Sequence, residues 1–284
     1  MSAEAVRLAG PWVARRRHLG LLIVLLMTLP ALWPLLRPGF FSADDGAFHV
    51  YRIAALADAW SQGVLHPRLF PEFGFGYGQA VLNFYAPLSY WPGAALALVG
   101  FTPATSMELS VALALLLAAL AAYGFVRSLW GEAAGVLAAV AYTYFPYHLA
   151  DAYQRGALPE LCAFVWLPLI LWAHRRTVTS DRPLPPMLWG ALAWTGLVLT
   201  HNLTAMLMAP VAAIYALCLV FVSGRWRRLA PVAGSLALAL AMSAAYWLPV
   251  AMESRYVGLA LGPSAGYERH LALVRLLVQS SLLY

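Results

Sequence analysis

Lysine is absent from this sequence, and charged residues of any kind make up only 11% of its 284 positions. Soluble domains carry about 25% charged residues, so the chain is short of the groups that keep a folded surface in water. Cysteine is nearly absent too. Cys162 and Cys218 both lie inside apolar runs, which excludes a disulfide framework and a cysteine metal motif. A nucleotide-binding glycine loop is also missing, because Gly74-Phe75-Gly76-Tyr77-Gly78 opens no βαβ unit and reads instead as a tight turn.

What fills the space is apolar. Hydrophobic residues make up 62% of the chain, against roughly 45–50% in soluble domains. So much apolar surface cannot all be buried in a water-soluble core of this size, and the chain is placed in a bilayer. All 18 cationic side chains are arginine and the formal net charge is +6. In a membrane protein such an excess records topology rather than nucleic-acid binding.

Apolar runs suited to a hydrocarbon core of about 30 Å occur at Leu19–Leu36, Met107–Val126, Ala133–His148, Leu158–His174, Pro186–Thr200, Leu203–Val222 and Leu229–Met252. The first follows Arg15-Arg16-Arg17 and lacks a convincing small-x-small cleavage site, so it is read as a retained helix and not a signal peptide. Val81–Phe101 is apolar but interrupted by Pro87 and Pro92. Placing it at the outer surface leaves eleven arginines and three acids inside, with seven arginines and nine acids outside. Letting it span turns the Arg175–Arg176 and Arg225–Arg228 blocks outward, against the positive-inside bias. The expected fold is therefore an all-α polytopic membrane protein of about seven transmembrane helices, with juxtamembrane helices in a first outer loop. Its parts are a cytoplasmic basic N-terminus at 1–18, a transmembrane module at 19–256 with its first outer loop at 37–106, and an outer segment at 257–284.

This topology gathers the polar clusters on the outer face. Ser42 and Asp45 have the spacing of a capping box, which accounts for one carboxylate but not for the adjacent pair Asp44-Asp45. On a helix, Asp45, His49 and Arg52 share a face, while Ile53, Leu56 and Trp60 offer an apolar side to rest on a bilayer surface. An acid pair beside a His and an Arg suits proton transfer or a metal–phosphate. His66 and Arg68 are further phosphate-contact candidates, and Tyr85 lies in an aromatic stretch that suits an interfacial belt or a ligand wall. In the second cluster His148, Asp151 and Arg155 fall at i, i+3 and i+7, and Gly156 and Pro159 turn the chain toward Glu160. An Asp151–Arg155 pair is the bland account of this cluster; lining a cavity is the functional one. His201-Asn202 punctuates two apolar runs. Asn202-Leu203-Thr204 matches a glycosylation acceptor but lies too close to a span to be one.

The ordered set of motifs resembles a family. Its carriers are Asp44-Asp45 with His49; Gly76-Tyr77-Gly78 with Phe84-Tyr85-Ala86-Pro87-Leu88; Tyr147-His148-Leu149-Ala150-Asp151-Ala152-Tyr153 with Arg155 and Glu160; Thr200-His201-Asn202; and Tyr246-Trp247-Leu248-Pro249 with Glu253. They resemble the membrane glycosyltransferases of the C-type fold. The nearer likeness is to the 6-pyruvoyl-tetrahydropterin synthase-related membrane proteins, a label that denotes no pterin activity. The resemblance implies transfer of a sugar from a polyprenyl-phosphate-linked donor to an acceptor on the outer face, with inversion. It implies Asp44 as base and Asp45 as an orienting or metal-binding group. His49, Arg52, Tyr85, His148, Asp151, Arg155, Glu160 and His201 become the substrate-binding set. A divalent cation, Mg or Mn, on Asp45, Asp151 and Glu160 is optional. The implied partners are membrane lipid, the lipid-linked sugar and an acceptor, with no nucleic acid, at the cytoplasmic membrane. Members usually continue with further spans, so the chain is expected to be a truncated member. A transporter or flippase-like protein and a non-catalytic scaffold are the alternatives.

Overall fold

The computed structural model describes residues 19–41 and 43–256. The expectations for 1–18, Ser42 and 257–284 lie outside the described residues. Two compact units divide at Tyr246 and Trp247. Of the second, 247–256 is described: the end of a helix and a 3-10 turn, Ser254–Tyr256, in which Arg255 donates to the Tyr256 hydroxyl.

The regular secondary structure of the described residues is helical, and their β pairing is one isolated bridge, Phe70 to Gln79. In chain order the helices are α1 (Leu19–Leu36, tightening to 3-10 from Leu29), α2 (Gly46–Ser61), α3 (Val81–Phe84), α4 (Trp91–Leu98), α5 (Pro103–Trp130) and α6 (Glu132–Thr143). There follow α7 (Pro146–Ala150), α8 (Leu158–Ala163), α9 (Trp166–Thr179), α10 (Leu184–Thr200), α11 (Asn202–Ser223), α12 (Leu229–Met242) and α13 (Ala244–Glu253). By length and composition α1, α5 and α11 can each cross a membrane, and the stretch Trp226–Met242 with Ala244–Tyr256 makes a fourth if counted as one broken span. The other apolar runs are helical as expected, but broken into shorter pieces.

The longest helix shows how the sequence writes its ends. Thr102 accepts a hydrogen bond from the Thr105 amide at 3.2 Å, and Pro103 occupies the first turn, where its missing N–H costs nothing. At the other end Gly131, at φ +88°, takes a backbone conformation closed to larger residues. Between them Ser106, Ser110, Ala114 and Ala118 form a buried stripe of small side chains along which neighbours pack closely. Elsewhere glycine supplies the notch: Gly124 admits the Trp172 ring, and Gly196 admits Trp166.

The largest buried cluster joins α2, α4, α5 and α8 through Ile53, Leu56, Leu82, Tyr90, Met107, Leu115 and Leu158. This corrects the reading of α2. Ile53 and Leu56 are fully buried in protein instead of resting on a bilayer, and Trp60 packs edge-on against Trp91. The 81–101 segment is likewise not one helix. Pro87 and Pro92 leave it as α3, a 3-10 turn and α4. By contrast α1 and α11 keep large apolar side chains exposed, among them Leu22, Leu26, Met206, Ile214 and Phe221. That surface belongs in hydrocarbon, not water.

A methyl at Gly196 is expected to overpack the α9–α10 contact, because its Cβ falls 2.6 Å from the Trp166 ring. Gly196→Ala should therefore lower stability by about 1–3 kcal/mol, read as the thermal melting of the chain in detergent. An unchanged melting temperature would show that the notch has no such role.

Candidate functional site

The site is built where helices break. Gly156, at φ +67°, and Pro159 interrupt the chain after a π-helical turn at Asp151–Arg155. Pro159 has no amide to offer the Arg155 carbonyl four residues back, and the turn also strands that of Gln154. Both carbonyls are taken from far away in sequence: the Asp44 amide donates to Gln154 at 3.0 Å and the Asp45 amide to Arg155 at 2.8 Å. A Cβ on Gly156 would lie 2.7 Å from that of Ala43, so only glycine lets the two segments approach this closely. Asp44 and Asp45 stay solvent-exposed at the head of α2, and the Asp45 side chain makes no cap hydrogen bond. The acid pair is therefore fixed by its backbone while its carboxylates remain available.

Beside it lies a compact ionic group. The Arg155 guanidinium donates to Asp151 at 2.5 Å, to Glu160 at 2.8 Å and to the Tyr147 hydroxyl at 3.0 Å. Tyr147 in turn donates to the other oxygen of Glu160 at 2.6 Å. The Asp151 side chain is fully buried, and its Oδ2 has no hydrogen-bond partner. Burial first, then the negative charges of Glu160 and Asp45, push Asp151 up to about 7 against the pull of Arg155.

A second group adjoins the first across Cys162, which lies within electrostatic reach of both Tyr90 and Asp151. Arg52 donates to the Tyr90 hydroxyl at 2.9 Å and stacks 4.5 Å above the Tyr85 ring. The Tyr90 hydroxyl is also hydrogen-bonded to His49 Nδ1, 2.8 Å away. Burial and the Arg52 charge depress His49 to about 3, so it is neutral at physiological pH. Its Nε2 is buried without a partner.

The expected residues thus fall into two groups, Asp44, Asp45, Asp151, Arg155 and Glu160 in one, and His49, Arg52 and Tyr85 in the other. His201 is bonded through Nδ1 to the Thr204 hydroxyl at 2.7 Å and lies within electrostatic reach of Glu160 and Arg155. His148 does not join them, although it was read on the same helical face. Pro146 leaves the Tyr142 carbonyl without its helical donor, and His148 Nδ1 fills that place at 2.8 Å while its ring packs on Phe164. Arg68 is likewise turned to Asn83, at 2.8 Å. A divalent cation does not fit the set Asp45, Asp151 and Glu160: the Arg155 guanidinium already bonds both Asp151 and Glu160, and among the described residues no three metal-capable side chains are grouped.

Sequence reasoning missed Tyr90, which joins His49 and Arg52, and the bonding role of Tyr147. Tyr90 is 41 residues from His49, beyond any helical periodicity. The prolines at 146 and 159 do mark where backbone acceptors are stranded, but the donors that reach them are set by tertiary packing.

These features describe a helical chain with three or four stretches long and apolar enough to cross a membrane, by length and composition, and a polar site where its helices break. Residues 82–257 match the model of the 6-pyruvoyl-tetrahydropterin synthase related domain, a membrane-protein family, and the chain belongs to that family. It is also similar to an uncharacterized protein of Lactococcus lactis subsp. cremoris (strain MG1363), 24% identical over 208 residues. That match covers 72% of this chain and 34% of the relative, so the chain spans about a third of the relative's length.

The raised Asp151 sets a pH dependence. The unfolded carboxyl titrates near 3.8 and the folded one at about 7, so folding favours the protonated form. Its stabilising contribution is complete below 3.8 and is lost as pH rises through about 7. Asp151→Asn, which keeps an acceptor for Arg155, should flatten this part of the stability profile, measured as denaturation midpoints across that window. A variant that keeps the wild-type slope assigns the slope to other groups.

Proposed function

We propose that the acid pair and the Arg155 group form the site of a membrane transferase that moves a sugar from a polyprenyl-phosphate-linked donor to an acceptor. The observation that carries this reading is the pair of backbone bonds holding Asp44 and Asp45, both exposed, beside Arg155. Asp44 takes the proton of the attacking acceptor group as the acceptor–carbon bond forms. The bond from the anomeric carbon to the phosphate oxygen breaks from the opposite face, its electron pair leaves on the lipid phosphate, and the configuration inverts. Arg52 and Arg155 stabilise the charge growing on that phosphate. Arg52 has no carboxylate partner among the described residues, and Tyr85 and Tyr90 hold its guanidinium in place.

In this reading the site faces outward from the cytoplasmic membrane, the N-terminus is cytoplasmic and the chain crosses seven times. The support is the division of charge, with eleven arginines and three acids on one side and seven arginines and nine acids on the other. The shorter helices then cross as broken spans, with their ends sealed by side chains, as at Tyr142 and Phe164. The first outer loop is 37–106.

One observation favours a non-catalytic scaffold: Arg155 is already engaged by two carboxylates and a hydroxyl. A transfer assay separates the readings. The chain in vesicles is supplied with polyprenyl-phosphate sugars and release of the free lipid phosphate is followed. Asp44→Asn should slow transfer by at least about a hundredfold, as loss of a general base does, and Arg52→Gln should slow it as well. Undiminished transfer by Asp44→Asn and Asp45→Asn alike would falsify the carboxylate mechanism, and wild-type chain without transfer supports the scaffold.

A further inference from the structure

A second site lies along α9, in the hairpin that it forms with α10. The hairpin of α9 and α10 encloses a groove of about 680 Å³. Trp166, Trp172 and Arg176 line it from α9, at spacings that put them on one helical face, and Trp189 and Leu192 line it from α10. Its aromatic walls are held in place. Trp166 Nε1 donates to Thr200 at 2.9 Å while its ring sits against Gly196, and Trp172 sits against Gly124. Trp172 Nε1 is buried with no hydrogen-bond partner.

The two ends of the groove differ in chemistry. Toward Trp166 the lining is aromatic and aliphatic; at the hairpin turn it ends in Ser180 and two arginines, Arg176 and Arg182. Both arginines are exposed, and neither forms an ion pair among the described residues. Arg225 adds charge beside them, donating to the Thr179 carbonyl at the end of α9 at 2.7 Å. An inorganic anion would meet the arginines but leave the apolar length of the groove unused. A neutral chain would fill the groove but leave the arginines unmet.

We propose that this groove binds one anionic membrane phospholipid, with its phosphate on Arg176 and Arg182 and an acyl chain along the tryptophan-lined wall. The occupant follows from the pairing of a cationic mouth with an apolar length in a protein already surrounded by lipid. The site does not depend on the transferase reading, since no residue is shared with it.

Native mass spectrometry of the purified chain in detergent tests the assignment, with phosphatidylglycerol, phosphatidylcholine and inorganic phosphate as probes. One phosphatidylglycerol should be retained, and phosphatidylcholine, whose choline cation sits against the two arginines and cancels the phosphate's charge, should bind at least about tenfold more weakly. The double variant Arg176→Gln/Arg182→Gln should weaken phosphatidylglycerol by at least about tenfold. Ala193→Leu, which narrows the apolar part, should weaken it too. Arg227→Gln/Arg228→Gln removes the same charge outside the groove and should change retention by no more than about twofold. Equal losses in the two arginine pairs would mean general surface attraction and overturn the site. Equal retention of phosphatidylcholine, or displacement of the lipid by inorganic phosphate, would overturn it as well. The arginine variants change exposed side chains and serve even if Ala193→Leu melts early.

Discussion

In a chain this apolar, the governing constraint is that every helix break strands backbone carbonyls where little water can reach them. The structure meets that constraint with donors brought from other segments. Pro146 strands the Tyr142 carbonyl, and the His148 ring takes it. Pro168 strands that of Phe164, and the Tyr142 hydroxyl takes it at 2.9 Å. Gly156 and Pro159 strand those of Gln154 and Arg155, and the amides of Asp44 and Asp45 take them. Only in the last case does the donor carry a pair of free carboxylates with it. The polar site is thus a consequence of how one break is sealed.

That origin explains the ionic group beside it. Arg155, Asp151 and Glu160 stand on either side of the Gly156 turn, so the turn that calls in the acid pair also brings these three together. Burying such charges costs more than their attraction returns unless their hydrogen bonds are complete. Arg155 and Glu160 come close to completion through Tyr147, while Asp151 keeps one oxygen unpartnered. The carboxyl left incomplete is the one whose affinity for a proton rises most in this group, which is the expected response of a buried acid.

The helical class and the places of the apolar segments were legible because each depends on local composition. So was the Asp151–Arg155 pair, since its i,i+4 spacing sets the two side chains together on one helical face. The bilayer-facing role read for Ile53 and Leu56 was wrong because periodicity shows that a helix has an apolar face, not what covers it. The same limit applies to His148 and His49. Spacing placed each beside charged residues, yet one bonds a stranded carbonyl and the other a tyrosine from a distant segment. The number of crossings is less legible still, because breaks before Pro146 and Pro168 and at Ser243 cut apolar runs into helices of 14 residues or fewer.

The Gly156 turn and the α9–α10 hairpin show how few residues separate one kind of polar site from another. At the turn arginine meets carboxylates from its own chain, so the positive charge is balanced within the protein. At the hairpin Arg176 and Arg182 form no ion pair among the described residues, which leaves them open to the anionic lipid proposed above. Both places contain arginine and aromatic rings. What differs is the supply of acid: Asp151 and Glu160 flank the Gly156 turn, whereas Asp181 beside Arg182 forms no ion pair among the described residues. The scarcity of acids therefore shapes the molecule as much as its apolar bulk does. Where acids cluster, Arg155 is paired within the chain; where they do not, arginine stays exposed.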